Sequence, residues 1–310
     1  MQIIVLSMHR SGSSMVARLI NLMGAYFAPE GAGTGASVEN PKGFWERKDI
    51  RKVNDNALFA AGADWYRVSG WAPHKLPSEA VQEFEQEAGR IVLNMDAYRP
   101  WVAKEPRFCL LFPMWRRLLE APVCVHVYRS PLEVARSLKT RNGFPIPFGI
   151  ALWAYYCHLS LQVSSGLPRT LVRHSDLMAN PVGVVETLYE SLTAMGVRGL
   201  KMPSSREIRA FIEPKYWREK AGRREADHLL TPFQRQLASA FETGQVFRFT
   251  VPPEIDAKTI ESLRFHEQEA DLAKKYGVRA GDLDGSADLS AALHLEIIHR
   301  QHQKMRQLLE

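Results

Sequence analysis

The chain has only three cysteines in 310 residues, Cys109, Cys124 and Cys157. They lie among apolar neighbours without any Cys-x-x-Cys spacing. That excludes a disulfide framework and a zinc site, and predicts buried free thiols in a reducing compartment. No apolar run approaches the ~20 residues that a membrane span needs. No block of Lys and Arg is long enough to read as a nucleic-acid tail, so neither membrane nor nucleic acid is an expected partner. Internal repeats and low-complexity tracts are missing too. The first strand pattern opens at residue 3 with no signal peptide ahead of it, which predicts a cytoplasmic protein. No acidic cluster fits a metal, so none is expected. His294, His299 and His302 read as a polar helix face before they read as ligands. What remains is an ordinary globular balance, 45% hydrophobic and 24% charged. The length suits one large α/β domain with an appendage, or two small domains. The net charge of +6 suits anionic ligands.

The chain is organised around its first twenty residues. The β-branched run Ile3-Ile4-Val5-Leu6 passes through Ser7-Met8-His9-Arg10-Ser11-Gly12-Ser13-Ser14 into residues 15–20, which are apolar at helical spacing. This is the layout of a strand, a phosphate-gripping loop and a helix. Small residues at Ser11, Gly12, Ser13 and Ser14 let backbone N–H groups converge on one concavity, and the helix start adds partial positive charge. Arg10 supplies a full charge, and the Ser13 and Ser14 hydroxyls can donate to anionic oxygens. The loop is not the Gly-x-x-x-x-Gly-Lys-Ser/Thr of nucleotide triphosphatases. Ser7 holds the first glycine position and Ser13 the lysine position.

A second phosphate pattern follows. Residues 123–128, Val-Cys-Val-His-Val-Tyr, read as a buried strand that delivers Arg129 to the carboxyl edge of a sheet. Ser130, Pro131 and Glu133 predict an immediate helix start with a capping box. Ser137 falls two turns inside that helix on the face Arg129 approaches, and an arginine and a hydroxyl so placed can hold one phosphate. His126, in mid-strand, reads as a core histidine.

Between the two patterns lie a loop with Gly31, Gly33 and Gly35 and then Gly43-Phe44-Trp45-Glu46. Aromatics beside an acid suit a site that packs on a ring and moves a proton. Equally, Phe44 and Trp45 read as core anchors and Glu46 as a helix cap. Residues 81–96 predict an amphipathic surface helix. Val102-Ala103 predicts a short parallel strand carrying Lys104 to its end, where open α/β sheets bind ligands. Residues 148–162 predict a helix, 170–173 a strand, and His174-Ser175-Asp176-Leu177 a turn. Asn180-Pro181 is expected to cap a helix over 182–195.

These motifs resemble those of the sulfotransferases that use 3′-phosphoadenosine 5′-phosphosulfate (PAPS). Arg10-Ser11-Gly12-Ser13-Ser14 resembles their 5′-phosphosulfate loop, and Arg129 with Ser137 eight positions on resembles their 3′-phosphate motif. Gly43-Phe44-Trp45-Glu46 and Lys104-Glu105-Pro106 are similar to segments of bacterial sugar sulfotransferases. The resemblance covers about the first two hundred residues. It implies an α/β fold with a doubly wound, mostly parallel sheet, the P-loop-like strand–loop–helix, and a C-terminal helical extension. It implies PAPS as co-substrate without a metal, and an acceptor hydroxyl on a carbohydrate or glycolipid. Arg10, Ser11, Gly12, Ser13 and Ser14 would take the 5′-phosphate, Arg129 and Ser137 the 3′-phosphate. Glu46 would be the base, with Lys104 and Arg10 beside the transferring group. A P-loop kinase and an inactive nucleotide-binding scaffold are the alternatives.

Beyond residue 195 the resemblance thins. The basic segment 218–224 departs from the family's Arg/Lys-Gly spacing because Ala221 separates Lys220 from Gly222. Residues 1–230 are read as the α/β domain and 231–310 as a helical extension. That extension is expected to pack on the domain or, through the stripe Ala291, Leu295, Ile298, His302, Met305 and Leu309, to join copies into a homo-oligomer.

Overall fold

The computed structural model describes residues 1–36, 42–213, 228–249 and 252–275, the last four by backbone alone. Four parallel strands form its sheet: β1 (Gln2–Leu6), β2 (Trp101–Lys104), β3 (Pro122–Tyr128) and β4 (Arg169–Arg173), in the order β2-β1-β3-β4. Ile3 pairs with Val102 on one side and Val123 on the other, and Cys124 pairs with Arg169. The chain leaves β1 to one side for β2 and crosses back for β3. Such a reversal opens a crevice at the carboxyl ends of the strands.

Alternation along the strands builds two cores. Ile3, Val5, Val102, Val123 and Val125 face one side, where α1 (Ser13–Leu22), α7 (His174–Ala179), α8 (Pro181–Ala194) and α9 (Ser205–Phe211) bring Leu19, Leu177, Leu188 and Ile208. Ile4, Leu6, Ala103, Cys124 and Tyr128 face the other. That side is covered by α2 (Lys48–Ala60), α3 (Ser78–Asp96), α4 (Phe108–Arg116), α5 (Pro131–Asn142) and α6 (Ile146–Val163). The period-two pattern of β-branched residues therefore makes a sheet buried on both faces.

Two helices from beyond residue 230 join the second core. In α10 (Pro232–Glu242) Thr231 and Gln234 form a reciprocal capping box, and Leu237 and Phe241 are buried. In α11 (Ala257–Lys275) Leu263 is buried, and the helix lies on α6. Glu267 of α11 receives the Val68 and Ser69 N–H groups at 2.8 and 2.9 Å. The basic segment 218–224, the apolar stripe 291–309 and the three C-terminal histidines lie outside the described residues. Among the described residues, no helix is long and apolar enough to cross a membrane.

Three local expectations are corrected. Residues 174–177 open the short helix α7 and are not a turn. The Ser130–Glu133 capping box does not form: Ser130 makes no side-chain cap bond, and Glu133 receives Arg129 Nε at 2.8 Å instead. A guanidinium at the sheet edge is a stronger partner for the carboxylate than one more backbone N–H. Nor does Glu46 cap α2, whose N-cap is Arg47. The three thiols are free and buried, and burial pushes the Cys124 thiol up to about 12.

Candidate active site

The loop after β1 is set by two residues with left-handed backbone. Gly12 has φ +87°, and a Cβ there would stand 2.6 Å from His174 Cδ2, so the site admits glycine alone. Arg10 has φ +67°, which costs a non-glycine residue about 1–2 kcal/mol. The surroundings hold it there. Arg129 Nη1 donates to the Arg10 carbonyl at 3.1 Å, and Arg10 Nε donates to Ser137 Oγ at 2.9 Å. Trp153 Nε1 in turn donates to the Arg129 carbonyl at 3.1 Å. The ends of β1 and β3 and the second turn of α5 are thus stitched into one rim.

A cleft of about 480 Å³ opens under this rim. Arg10, Gly12, Ser13 and Ser14 line it, as do Arg129 and Ser137, Glu46 and Lys104. Ser11 does not: its side chain is buried beneath the loop, so its hydroxyl is not offered to the cleft. The first N–H groups of α1, which no helical carbonyl can reach, begin at the same wall.

Opposite the loop, Lys104 Nζ stands 2.5 Å from Glu46 Oε1, the two side chains 2% and 12% exposed. The turn after Lys104 is stapled by Glu105, which is fully buried. Its carboxylate receives Asn54 Nδ2 at 2.7 Å, the Arg107 N–H at 3.0 Å and Arg107 Nη1 at 2.5 Å. Asp55 holds Arg107 Nε at 2.7 Å, and Asn54 is fixed by Trp115 Nε1 at 2.8 Å. Burial raises the Glu105 pKa against the opposing pull of Arg107, and burial opposes while Glu105 raises that of Arg107. The network locks the end of β2, and with it the backbone position of Lys104.

Phe44 lines the cleft, with the Arg141 guanidinium 5.8 Å from its ring. Trp45 does not. At φ +51° it turns outward, 5.2 Å from Phe27, with Arg18 lying 4.6 Å over its face. Thr34 N donates to the Glu46 carbonyl and Lys48 N to Ala32, so the end of the glycine-rich loop is tied to the strand-like segment that carries Glu46.

His174 lines the cleft against Gly12, and burial, with Arg129 second, pushes its pKa to about 3. His126 is elsewhere, between Ser164 Oγ at 2.9 Å and Ser160 Oγ at 3.3 Å, as a satisfied core histidine. Several lining residues had no assigned role in the sequence. His9 sits inside the loop motif itself, and Arg107 three places after Lys104; proximity to those motifs is the signal for both. Trp65 and Phe211 arrive from distant segments with no local signal. Among the described residues the cleft wall carries seven Lys or Arg side chains and two carboxylates, Glu46 and Glu213. Such a surface collects polyanions.

No family model matches the chain, and no curated protein matches it. Two solved structures align along most of their length. The sulfotransferase domain from the curacin biosynthetic pathway is 16% identical with a TM-score of 0.41, over 89% of this chain and 97% of that one. The sulfotransferase domain from the Synechococcus PCC 7002 olefin synthase is 14% identical with a TM-score of 0.40, over 86% and 94%. Likeness this loose places no residue of this chain in a role.

Proposed function

We propose that the protein is a sulfotransferase that moves a sulfuryl group from PAPS to an acceptor hydroxyl, of a carbohydrate or glycolipid. The observation that carries this reading is the joining of two separate phosphate motifs in one cleft: Arg10 of the first loop bonds Ser137, and Arg129 bonds the Arg10 carbonyl. A nucleotide with phosphates at both ends of its ribose needs that pairing, and one with a single polyphosphate tail does not. The residues fit such a donor. Glycine is forced at position 12, the helix start faces the cleft, and cations dominate its wall.

Arg10, the α1 N–H groups, Ser13 and Ser14 bind the 5′-phosphate; Arg129 and Ser137 bind the 3′-phosphate. The acceptor oxygen forms its bond to sulfur while the bond from sulfur to the bridging 5′-phosphate oxygen breaks. The leaving oxygen keeps the electron pair, and Arg10 stabilises its growing charge. Glu46 receives the hydroxyl proton. Lys104, paired with Glu46 at 2.5 Å, stands where it can steady the sulfuryl oxygens. The products are a sulfate ester and adenosine 3′,5′-bisphosphate.

The test is incubation with PAPS labelled in its sulfur, beside a panel of simple saccharides and a no-enzyme control. Label in an alkali-stable ester supports the reading. Label transfer absent with PAPS, with phosphate transfer from ATP present, would replace it with the kinase alternative.

A further inference from the structure

The mechanism above gives no task to His9, a side chain of the cleft wall. His9 lies in the phosphate loop immediately before Arg10, partly buried and lining the cleft. Two aromatic neighbours set its ring. The Trp65 ring is 4.6 Å away, and Tyr156 meets it edge-on at 5.8 Å. The Tyr156 hydroxyl donates to the Trp65 carbonyl at 2.7 Å, so the three rings are fixed as a group. Trp65, itself partly exposed, lines the same cleft and stands on Tyr66 and Phe144.

His9 Nε2 is shut away from solvent and has no hydrogen-bond partner among the described residues. Buried polar atoms in folded proteins are nearly always satisfied, and one left without a partner on a residue that lines a cleft calls for a ligand group nearby. The charge around it narrows the choice. Burial first, then Arg107, Lys104, Arg141 and Arg10, hold the His9 pKa well below the usual imidazole range, so the ring is neutral with a lone pair at neutral pH. The same four cations oppose any ammonium group brought to that place.

Resting on the sulfuryl-transfer reading, we infer that His9 hydrogen-bonds the reactive hydroxyl of the acceptor while the ring bearing that hydroxyl lies on Trp65. The acceptor is then a ring alcohol of the saccharide type and not an amine. Because His9 is part of the phosphate loop, it fixes the attacking oxygen relative to the donor. The proton still passes to Glu46, and His9 stays neutral through the step. A saccharide matches both features of the wall: an apolar ring face for the indole and hydroxyls for the imidazole. An alkylamine, protonated at neutral pH, matches neither.

The experiment compares methyl glucoside with methyl glucosaminide as acceptors of labelled sulfuryl, using the full chain as wild type, His9→Ala and His9→Asn. Adenosine 3′,5′-bisphosphate binding is measured by thermal shift on each protein as the control for folding and for the donor site. Wild type is expected to favour the glucoside at least tenfold. His9→Ala should lower kcat/KM for it at least tenfold with the bisphosphate shift retained, and His9→Asn, which keeps a hydrogen-bonding group, should recover part of the loss. Equal turnover in wild type and His9→Ala, or preference for the amino sugar's nitrogen, would overturn the assignment. So would a retained bisphosphate shift with no transfer to either glycoside. Loss of the bisphosphate shift in the wild type itself would instead overturn the underlying sulfuryl-transfer reading.

Discussion

Arg10 and Ser137 are 127 positions apart in sequence and joined by a 2.9 Å hydrogen bond across the mouth of the cleft. The bond ties the loop after β1 to the second turn of α5. On the proposed reading, Ser137 would donate its proton to the 3′-phosphate while still accepting from Arg10 Nε, which would couple the two ends of the donor site. Ser137→Ala should therefore weaken adenosine 3′,5′-bisphosphate by about 0.5–1.5 kcal/mol, the net worth of one hydrogen bond. In a double-mutant cycle with Arg10→Lys the losses should be non-additive by at least ~0.5 kcal/mol. Calorimetric titration measures both; strictly additive losses would mean that the contact has no part in binding.

Arg129→Ala should cost bisphosphate binding about 1.5–3 kcal/mol, the range for a charged hydrogen bond. Adenosine 5′-phosphosulfate, which lacks the 3′-phosphate, should lose much less. Equal losses for the two ligands would show that Arg129 acts only through the Arg10 carbonyl it supports.

Glu46→Gln should lower turnover by about 10²–10⁴, the usual reach of general-base catalysis, with bisphosphate affinity nearly unchanged. The same substitution leaves Lys104, 2% exposed, without its carboxylate. A lower melting point is expected alongside the kinetic loss, because a buried cation without its counter-charge is costly. Unchanged turnover would remove Glu46 from the mechanism.

The reach of the sequence differed between strands and site. The strands and the strand–loop–helix at the start of the chain were legible because their signals are local: β-branched runs at residues 3–6 and 123–128, and small residues around Gly12. Trp65 and Phe211 gave no such signal, since only the packing of α2, α6 and α9 brings them to the cleft. Phe44 and Trp45 looked alike as neighbours, yet the left-handed backbone at Trp45 sends one ring in and the other out. At Ser130 a local rule misled, because Glu133 had a better partner in Arg129. The fold follows from pattern, and the site from which charges meet across it.

Acid should destabilise the protein early. Burial holds His126 and His174 near pKa 3, against the ordinary 6.5 of an unfolded histidine. Between those values the unfolded chain binds more protons than the native one, so stability falls as pH drops from 6.5 towards 3. Urea midpoints measured from pH 7.5 to 4 should decline steadily, and His126→Gln should flatten the slope. A flat profile in the wild type would mean that these rings titrate normally.

Gly12→Ala places a Cβ 2.6 Å from His174 at a left-handed φ, and should cost stability by roughly 1–3 kcal/mol together with nucleotide binding. Thermal unfolding with and without ligand reads both effects, and a fully stable, ligand-binding variant would contradict the loop geometry.

The most direct test of the central claim is a thermal shift with adenosine 3′,5′-bisphosphate, beside ATP with magnesium. A ligand at a hundred times its dissociation constant stabilises the native state by about 2.7 kcal/mol, enough to raise the melting temperature visibly. The account predicts a clear shift with the bisphosphate and little with ATP and magnesium. A shift with ATP and magnesium alone would contradict it, and would make the meeting of Arg129 and Ser137 with the first loop irrelevant to the nucleotide.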